Sequence, residues 1–255
     1  MGRNPRDQLQ PCVYHITHRC HGRSFLLKFA KDRRAYLERL REAAHRYPVD
    51  VLSYMVTANH VHLLLWVERA SAVSAAMHFV QGSFAGDWNR RKRSEGAFWR
   101  GRYHPTLVQT GRHLSRCLFY IDMNMVRAGA CSHPSEWLGG AFREICGERE
   151  RYRIVNRERL LWCLGMVDDP SFAAWYRATI EEEVARGRGQ RQPLWSEALA
   201  VGDRDWLDAL FPQGRSQKVT LTPFDDALAV AEESPTYALQ APRREQQDAW
   251  RAWNR

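Results

Sequence analysis

The chain is predicted to fold as an α+β protein in which helices pack against one antiparallel sheet. Three observations predict this class. Four short segments are predicted to be strands, amphipathic segments with helical periodicity lie between them, and residues 57–59 join the two most apolar runs in a turn of hairpin length. Hydrophobic residues make up 44% of the 255, which is enough for a sizeable core.

The predicted elements follow in the order strand, helix, strand, strand, helix, strand, helix. They are a strand over residues 13–20, a helix over 32–47 stopped by Pro48, strands over 49–56 and 60–67, a helix ending in the basic run 90–93, a strand over 103–109, and a helix over 112–128 closed by Gly129. This order is that of a ferredoxin-like antiparallel sheet with packed helices.

The pattern changes near residue 147. Helical periodicity returns over residues 157–166, 170–186 and 196–210, with a polar linker over 187–193, and the rest is polar apart from Trp250 and Trp253. We therefore predict a main domain over residues 1–147, a mainly helical C-terminal extension over 148–215, and a polar, partly ordered tail over 216–255.

Charge is unevenly distributed along the chain. Residues 1–130 hold 21 Lys and Arg against 9 Asp and Glu, a balance of +12, whereas the remainder has a balance of −3. Arginine predominates, and its planar fork matches phosphate oxygens two at a time, so the first half is expected to meet a polyanion. The simpler alternative is a solvated basic surface.

The absence of a membrane or secretion signal and the cysteine pattern both favour a reducing, cytoplasmic compartment. No apolar run is long enough to span a membrane and the N-terminus has no signal-peptide pattern, so we expect a cytoplasmic protein without a membrane partner. Six cysteines without a CxxC pair are expected to be free thiols. A zinc site built from Cys12, Cys20 and the nearby histidines is an alternative, but their spacing does not fit the usual ligand pairs.

Two histidines flank one apolar residue at the start of the strand over 60–67. His60 and His62 share one face of that strand, because side chains alternate between faces. Two neutral imidazoles can hold a divalent cation and leave coordination positions open for a substrate. Taken alone, the pair is read more simply as surface or hydrogen-bonded imidazoles.

The helix over 112–128 carries two stripes. One stripe is apolar and is expected to face the sheet; it consists of Leu114, Leu118, Ile121, Met125 and Ala128. The other stripe is polar and consists of His113, Arg116, Tyr120, Asn124 and Arg127. Asn124 follows Tyr120 by one turn, so a metal held by His60, His62 and Asn124 would lie beside the tyrosine oxygen. This conjunction suits attack by Tyr120 on a phosphodiester, and the basic first half supports it.

Arginines and tryptophans interleave around residues 88–102, a mixture that suits stacked bases and phosphates. The predicted DNA-binding residues are Arg19, Arg90, Arg91, Arg93, Trp99, Arg100, Arg102, Arg112, Arg116 and Arg127.

Three segments resemble a known family. Residues 59–64 (NHVHLL), 98–103 (FWRGRY) and 112–129 (RHLSRCLFYIDMNMVRAG) are similar to motifs of the HUH-type single-tyrosine transposases, in particular the REP-associated tyrosine transposases related to the IS200/IS605 group. The likeness covers about residues 12–145. Met125 stands where the family usually has proline, and residues 137–140 (WLGG) replace an expected WSS-like segment.

The resemblance implies an HUH catalytic domain over residues 1–147, with Mg²⁺ or Mn²⁺ at His60, His62 and Asn124 and Tyr120 as nucleophile. It implies cleavage and rejoining of single-stranded DNA at hairpin-forming repeats through a covalent 5′-phosphotyrosine. Relatives include dimers and monomers, and a monomer is favoured here. The alternatives are a hairpin-binding module that does not cut DNA and a degenerate member acting as a regulator.

Overall fold

The computed structural model of the chain describes residues 11–149, 151–166, 169–187, 189–210, 220–224 and 236–240. The strands are β1 (Cys12–Arg19), β2 (Asp50–Val56), β3 (His60–Val67), β4 (His104–Val108), β5 (Ala200–Gly202), β6 (Thr220–Phe224) and β7 (Thr236–Gln240). The helices are α1 (Ala30–Arg46), α2 (Ala70–Lys92), α3 (Arg112–Asp122), α4 (Asn124–Arg127), α5 (Phe142–Ile145), α6 (Arg157–Leu164), α7 (Asp169–Ala185), α8 (Leu194–Glu197) and α9 (Arg204–Leu210).

The strands of the described residues form one sheet in the order β2-β3-β1-β4-β5-β7-β6. The first four are antiparallel to one another, with β3 inserted between β1 and β2. This is the arrangement that a ferredoxin-like chain adopts when α1 connects β1 to β2 and α2 connects β3 to β4. The predicted α+β class is confirmed, and the predicted antiparallel sheet is confirmed for β1 to β4, whereas β5 pairs with β4 in parallel.

The two faces of the sheet have different environments. On one face, His18 of β1 stacks on Trp99, which in turn contacts Tyr36 of α1 and Phe84 of α2. On the other face, His15 and His62 point toward Tyr120 of α3. Because side chains alternate along a strand, this register separates a mainly apolar core from a face lined with imidazoles.

The C-terminal extension adds strands as well as helices. The predicted helix over residues 196–210 is wrong, because β5 interrupts it and pairs in parallel with β4 through Leu107 and Val108. Glycine is required at position 202, the last residue of β5, because a Cβ there would lie 2.4 Å from the Trp206 ring. Strands β6 and β7 lie within the stretch predicted as a tail, whereas Trp250 and Trp253 lie outside the described residues.

Residues 137–140 close the free edge of β2. The Val56 N–H donates to the carbonyl of Gly139 at 2.8 Å, and the Trp137 indole N–H donates to the carbonyl of Val56 at 3.0 Å. A Cβ on Gly139 would lie 2.6 Å from that carbonyl, so only glycine allows this approach. The WLGG sequence that departs from the family pattern therefore pairs with the sheet edge.

All six cysteines are free thiols, as predicted. Among the described helices, none is long and apolar enough to cross a membrane.

Candidate active site

His60 and His62 lie side by side at the start of β3. They pair across the sheet with Arg19 and Thr17 of β1, and their ring centroids are 4.9 Å apart. The His62 side chain is buried, with 2% of its surface exposed, whereas His60 is only partly covered. His60 and His62 therefore share one face of the strand, as predicted, and His60 is the more accessible of the two.

Hydrogen bonds fix the tautomer of His60. Its Nδ1 lies 2.7 Å from Oδ1 of Asn59 and 2.9 Å from Oγ1 of Thr57. An amide oxygen can only accept, so Nδ1 carries the proton and donates it. The lone pair of His60 is consequently on Nε2, the atom left for a ligand.

A second chain of hydrogen bonds fixes the tautomer of His62. Nδ1 of His15 lies 2.6 Å from the carbonyl oxygen of Trp195, which can only accept, so His15 is protonated on Nδ1 and its Nε2 is an acceptor. That Nε2 lies 2.9 Å from Nδ1 of His62, which must be the donor. The lone pair of His62 is therefore on Nε2, and it accepts from Nδ2 of Asn124 at 3.2 Å.

Burial keeps these imidazoles neutral. Desolvation lowers the pKa of both His15 and His60 to about 3, and for His60 the positive charges of Arg19 and Arg191 act in the same direction. Desolvation, followed by the neighbouring His60 and His15, lowers the pKa of His62 well below its usual value. A neutral imidazole has the free lone pair that a metal ion requires.

Tyr120 lies on α3 beside the histidines. Its ring centroid is 6.1 Å from that of His62 and 6.4 Å from that of His15. The Arg127 guanidinium sits 4.3 Å from the centroid of the Tyr120 ring and donates to its backbone carbonyl. Burial raises the pKa of the Tyr120 phenol, and the positive charges of Arg127, Arg191 and Arg19 oppose that rise.

The helix carrying Tyr120 breaks once before Asn124. Met123 has a ψ of −2°, which separates α3 from the single turn of α4. Asn124 is the first residue of that turn, and its amide still reaches His62. His60, His62, Asn124 and Tyr120 therefore lie together, as the spacing of one helical turn predicted, although the helix breaks between Tyr120 and Asn124.

The C-terminal extension covers this site with residues that the sequence did not single out. Trp195 of α8 is buried and its ring lies 6.2 Å from that of Tyr120, while its carbonyl holds His15. Arg191 is close enough to lower the pKa of His60. Contacts between residues that are 180 positions apart leave no local sequence pattern, so Trp195 could not have been found that way.

The donor set fits a divalent cation of modest affinity. Across the described ranges, no three His, Cys, Asp or Glu side chains are arranged to hold a metal, so the alternative of zinc at Cys12 and Cys20 has no support. His60 and His62 each present an unprotonated Nε2, and the Asn124 amide presents an oxygen when it is turned over. Two imidazoles and an amide oxygen are neutral ligands that leave positions open for a substrate phosphate.

The predicted DNA-binding residues fall into three groups. Arg19, Arg100 and Arg102 are exposed near the His60 end of the sheet, where the Arg100 N–H donates to the carbonyl of Arg19 at 2.8 Å. Arg90 and Arg93 are exposed at the end of α2, next to Arg91. The third group is covered or paired: Trp99 is buried, Arg112 pairs with Asp203, Arg116 donates to Thr236 at 2.7 Å, and Arg127 lies on Tyr120.

Comparison with known proteins gives one family. Residues 8–124 match the model of the family described as "Transposase IS200 like". This segment is similar to IS200-like transposases. It contains β1 to β4, both histidines, Tyr120 and Asn124. The predicted family resemblance is confirmed.

Two solved structures are similar to this chain. One is a REP-associated tyrosine transposase bound to a REP hairpin, 15% identical, with a TM-score of 0.48 over 58% of this chain and 86% of that one. The other is a proposed transposase from Deinococcus radiodurans, 17% identical, with a TM-score of 0.33 over 41% of this chain and 82% of that one. No protein of curated function matches the chain.

Proposed function

We propose that this transposase cleaves and rejoins single-stranded DNA at hairpin-forming repeats, with Tyr120 as the nucleophile and His60, His62 and Asn124 as the ligands of Mg²⁺ or Mn²⁺. The observation that carries the proposal is the convergence of these four side chains. The two imidazoles and the Asn124 amide lie together at one end of the sheet with the Tyr120 ring beside them, and hydrogen bonds donated to Asn59 and His15 fix the tautomers of both imidazoles.

The reaction that suits this geometry is a transesterification. The Tyr120 oxygen attacks the phosphorus, a P–O bond forms, and the bond from phosphorus to the 3′ oxygen breaks. One product is a 5′-phosphotyrosine and the other is a free 3′-hydroxyl, which takes up a proton from solvent. The bound cation would orient the phosphate and offset the charge that builds on its oxygens.

The protein's own residues prepare the attack. The Tyr120 phenol is protonated at neutral pH because burial raises its pKa, so it releases its proton to solvent as it attacks, which balances the proton that the leaving 3′ oxygen takes up. Arg127, held on the Tyr120 ring, stabilises the negative charge that develops as the proton leaves. Rejoining is the reverse reaction, in which a 3′-hydroxyl attacks the phosphotyrosine.

Single-stranded DNA is the substrate best supported by charge and family. The first 130 residues have a balance of +12, and Arg19, Arg100 and Arg102 are exposed near His60. The hairpin follows from the resemblance of the motifs to those of REP-associated transposases.

The test is a cleavage assay with a hairpin oligonucleotide labelled at its 3′ end and incubated with Mn²⁺. The wild-type chain is expected to give a labelled protein band on a denaturing gel, because the 3′ fragment stays on the tyrosine. Tyr120→Phe removes the nucleophilic oxygen and is expected to abolish both the band and the cleavage.

Tyr152→Phe is the matched control, because Tyr152 is 69% exposed and lies outside the site. It should give the wild-type pattern. Absence of cleavage and adduct in the wild type, together with retained hairpin binding, would instead support the alternative of a non-cleaving binding protein.

A further inference from the structure

Two phenylalanines are exposed on the loop between β1 and α1. Phe25 has 64% of its surface exposed and Phe29 has 47%. They lie four residues apart at the start of α1, and the structure offers neither ring a place in the core. A single exposed aromatic residue needs no explanation, but two exposed aromatic residues surrounded by charged side chains are typical of an interaction site.

Three lysines surround the ring of Phe29. The ammonium nitrogens of Lys28, Lys31 and Lys92 lie 4.8, 5.9 and 5.2 Å from its centroid. In the described part of the chain none of the three forms a salt bridge with a carboxylate. Three like charges around one ring repel each other, so the cluster is suited to an anion.

An ion pair between a buried carboxylate and a partly exposed guanidinium holds this arrangement in place. Arg91 in the last turn of α2 donates to Asp32 in the first turn of α1 at 2.5 Å, and Asp32 is 1% exposed. The pair fixes the end of α2 against the start of α1, which puts Lys92 over Phe29. The surface is therefore formed before any ligand binds, and Arg91, predicted to bind DNA, is engaged with Asp32.

The loop is tied to the turn that leads into the histidine pair. The Leu27 N–H donates to the carbonyl of Ala58 at 2.9 Å, and the Cys20 N–H donates to the carbonyl of Asn59 at 2.8 Å. The Asn59 amide donates in turn to the carbonyl of Arg23 at 3.3 Å. His60 follows Asn59 directly, so the loop that carries both phenylalanines is joined by hydrogen bonds to the turn that precedes the candidate active site.

We infer that Phe25, Phe29, Lys28, Lys31 and Lys92 form a single-strand platform, a surface that binds unpaired DNA entering or leaving the active site. Bases stack on the phenyl rings and phosphates lie against the ammonium groups. A duplex has its base faces covered, so the platform selects unpaired nucleotides. The inference rests on the proposed function for its substrate and extends it to a surface outside the reacting residues.

The test measures binding without cleavage. A 15-nucleotide single strand with a fluorescent label is titrated in EDTA with chains that all carry Tyr120→Phe, and anisotropy gives the Kd. Phe29→Ala is expected to weaken binding about 5- to 100-fold, the range for losing one stacked base, and Phe29→Tyr should stay within about twofold. Replacing all three lysines with Gln should reduce the slope of log K against log salt by about 2.

Two further measurements can contradict the platform, one with a control variant and one with duplex DNA. Tyr152→Ala is the control, because Tyr152 is also exposed beneath a cation, Arg41 at 5.2 Å, and is not one of the platform residues. Equal losses for Phe29→Ala and Tyr152→Ala, or the same loss with duplex DNA, would overturn the platform. Because no variant in this assay can cleave DNA, the result stands apart from the outcome of the cleavage test.

Discussion

At the scale of single residues, the candidate site depends on a histidine that is not itself a ligand. His15 is fully buried and links the carbonyl of Trp195 to Nδ1 of His62. Its role is to hold the His62 ring and keep the lone pair on the side of Asn124. Hydrogen-bond partners of this kind typically change metal affinity 10- to 100-fold when they are removed.

His15→Phe is therefore expected to weaken Mn²⁺ binding about 10- to 100-fold, because Nδ1 of His62 loses its acceptor and the ring can turn. Electron paramagnetic resonance titration of free Mn²⁺ measures this directly. His18→Phe is the matched control, since His18 lies on the same strand and points to the opposite face. A Mn²⁺ affinity of His15→Phe within twofold of the wild type would contradict the role of His15.

Local sequence patterns were sufficient for some residues of the site. Strand alternation placed His60 and His62 on one face, and the spacing of one helical turn placed Tyr120 beside Asn124. Neither pattern contains information about burial by distant segments. Arg116 was predicted to bind DNA, yet it is buried and donates to Thr236, and its neighbour on the same stripe, His113, is buried against Asp203.

At the scale of elements, the segment following α5 is held against β2 by a buried carboxylate and by the backbone N–H of Asn156, which donates to the carbonyl of Val51. Glu144 is 1% exposed and accepts from the backbone N–H groups of Ile154 and Val155 and from the Tyr54 hydroxyl at 2.9 Å. Arg149 lies 3.9 Å away and offsets its charge. This one side chain therefore satisfies three buried donors from two elements.

Glu144→Ala is expected to lower the free energy of unfolding by about 3–5 kcal/mol, because each stranded donor costs roughly 1–3 kcal/mol. Urea denaturation followed by circular dichroism gives the value. Glu148→Ala is the control, since Glu148 forms only partly exposed ion pairs with Arg143 and Arg177 and should cost less than about 1 kcal/mol. Equal losses in the two variants would show that Glu144 does not anchor this segment.

Helices and strands were predictable from the sequence where their periodic patterns of apolar residues extend over many residues. Strand β3 begins and ends at the predicted residues, and α1 and α7 lie within two residues of their predicted bounds. Strand β5 has three residues, too few for alternation to be recognised, and it forms because Leu107 and Val108 offer an unpaired edge. Tertiary pairing, and not local propensity, decides the conformation of residues 196–210.

At the scale of the whole molecule, the C-terminal extension continues the sheet of the N-terminal domain. Strand β5 joins β4 directly, β7 and β6 follow in the same sheet, and Trp195 is buried between the extension and the imidazole face. The matched segment ends at residue 124, so these contacts lie outside the region shared with the family. An appendage that folded separately would leave the stability of the domain unchanged when removed.

A chain ending at residue 186 is expected to melt about 6–20 °C below the full chain. Loss of a buried tryptophan such as Trp195 costs about 3–5 kcal/mol, and each kcal/mol lowers the Tm of a chain of this size by about 2–4 °C. Differential scanning calorimetry measures both temperatures. A chain ending at residue 240 keeps every described strand and is the control. If the chain ending at 186 melts within 2 °C of that control, by the same scale its missing segment contributes less than about 1 kcal/mol, and the extension is a separable unit.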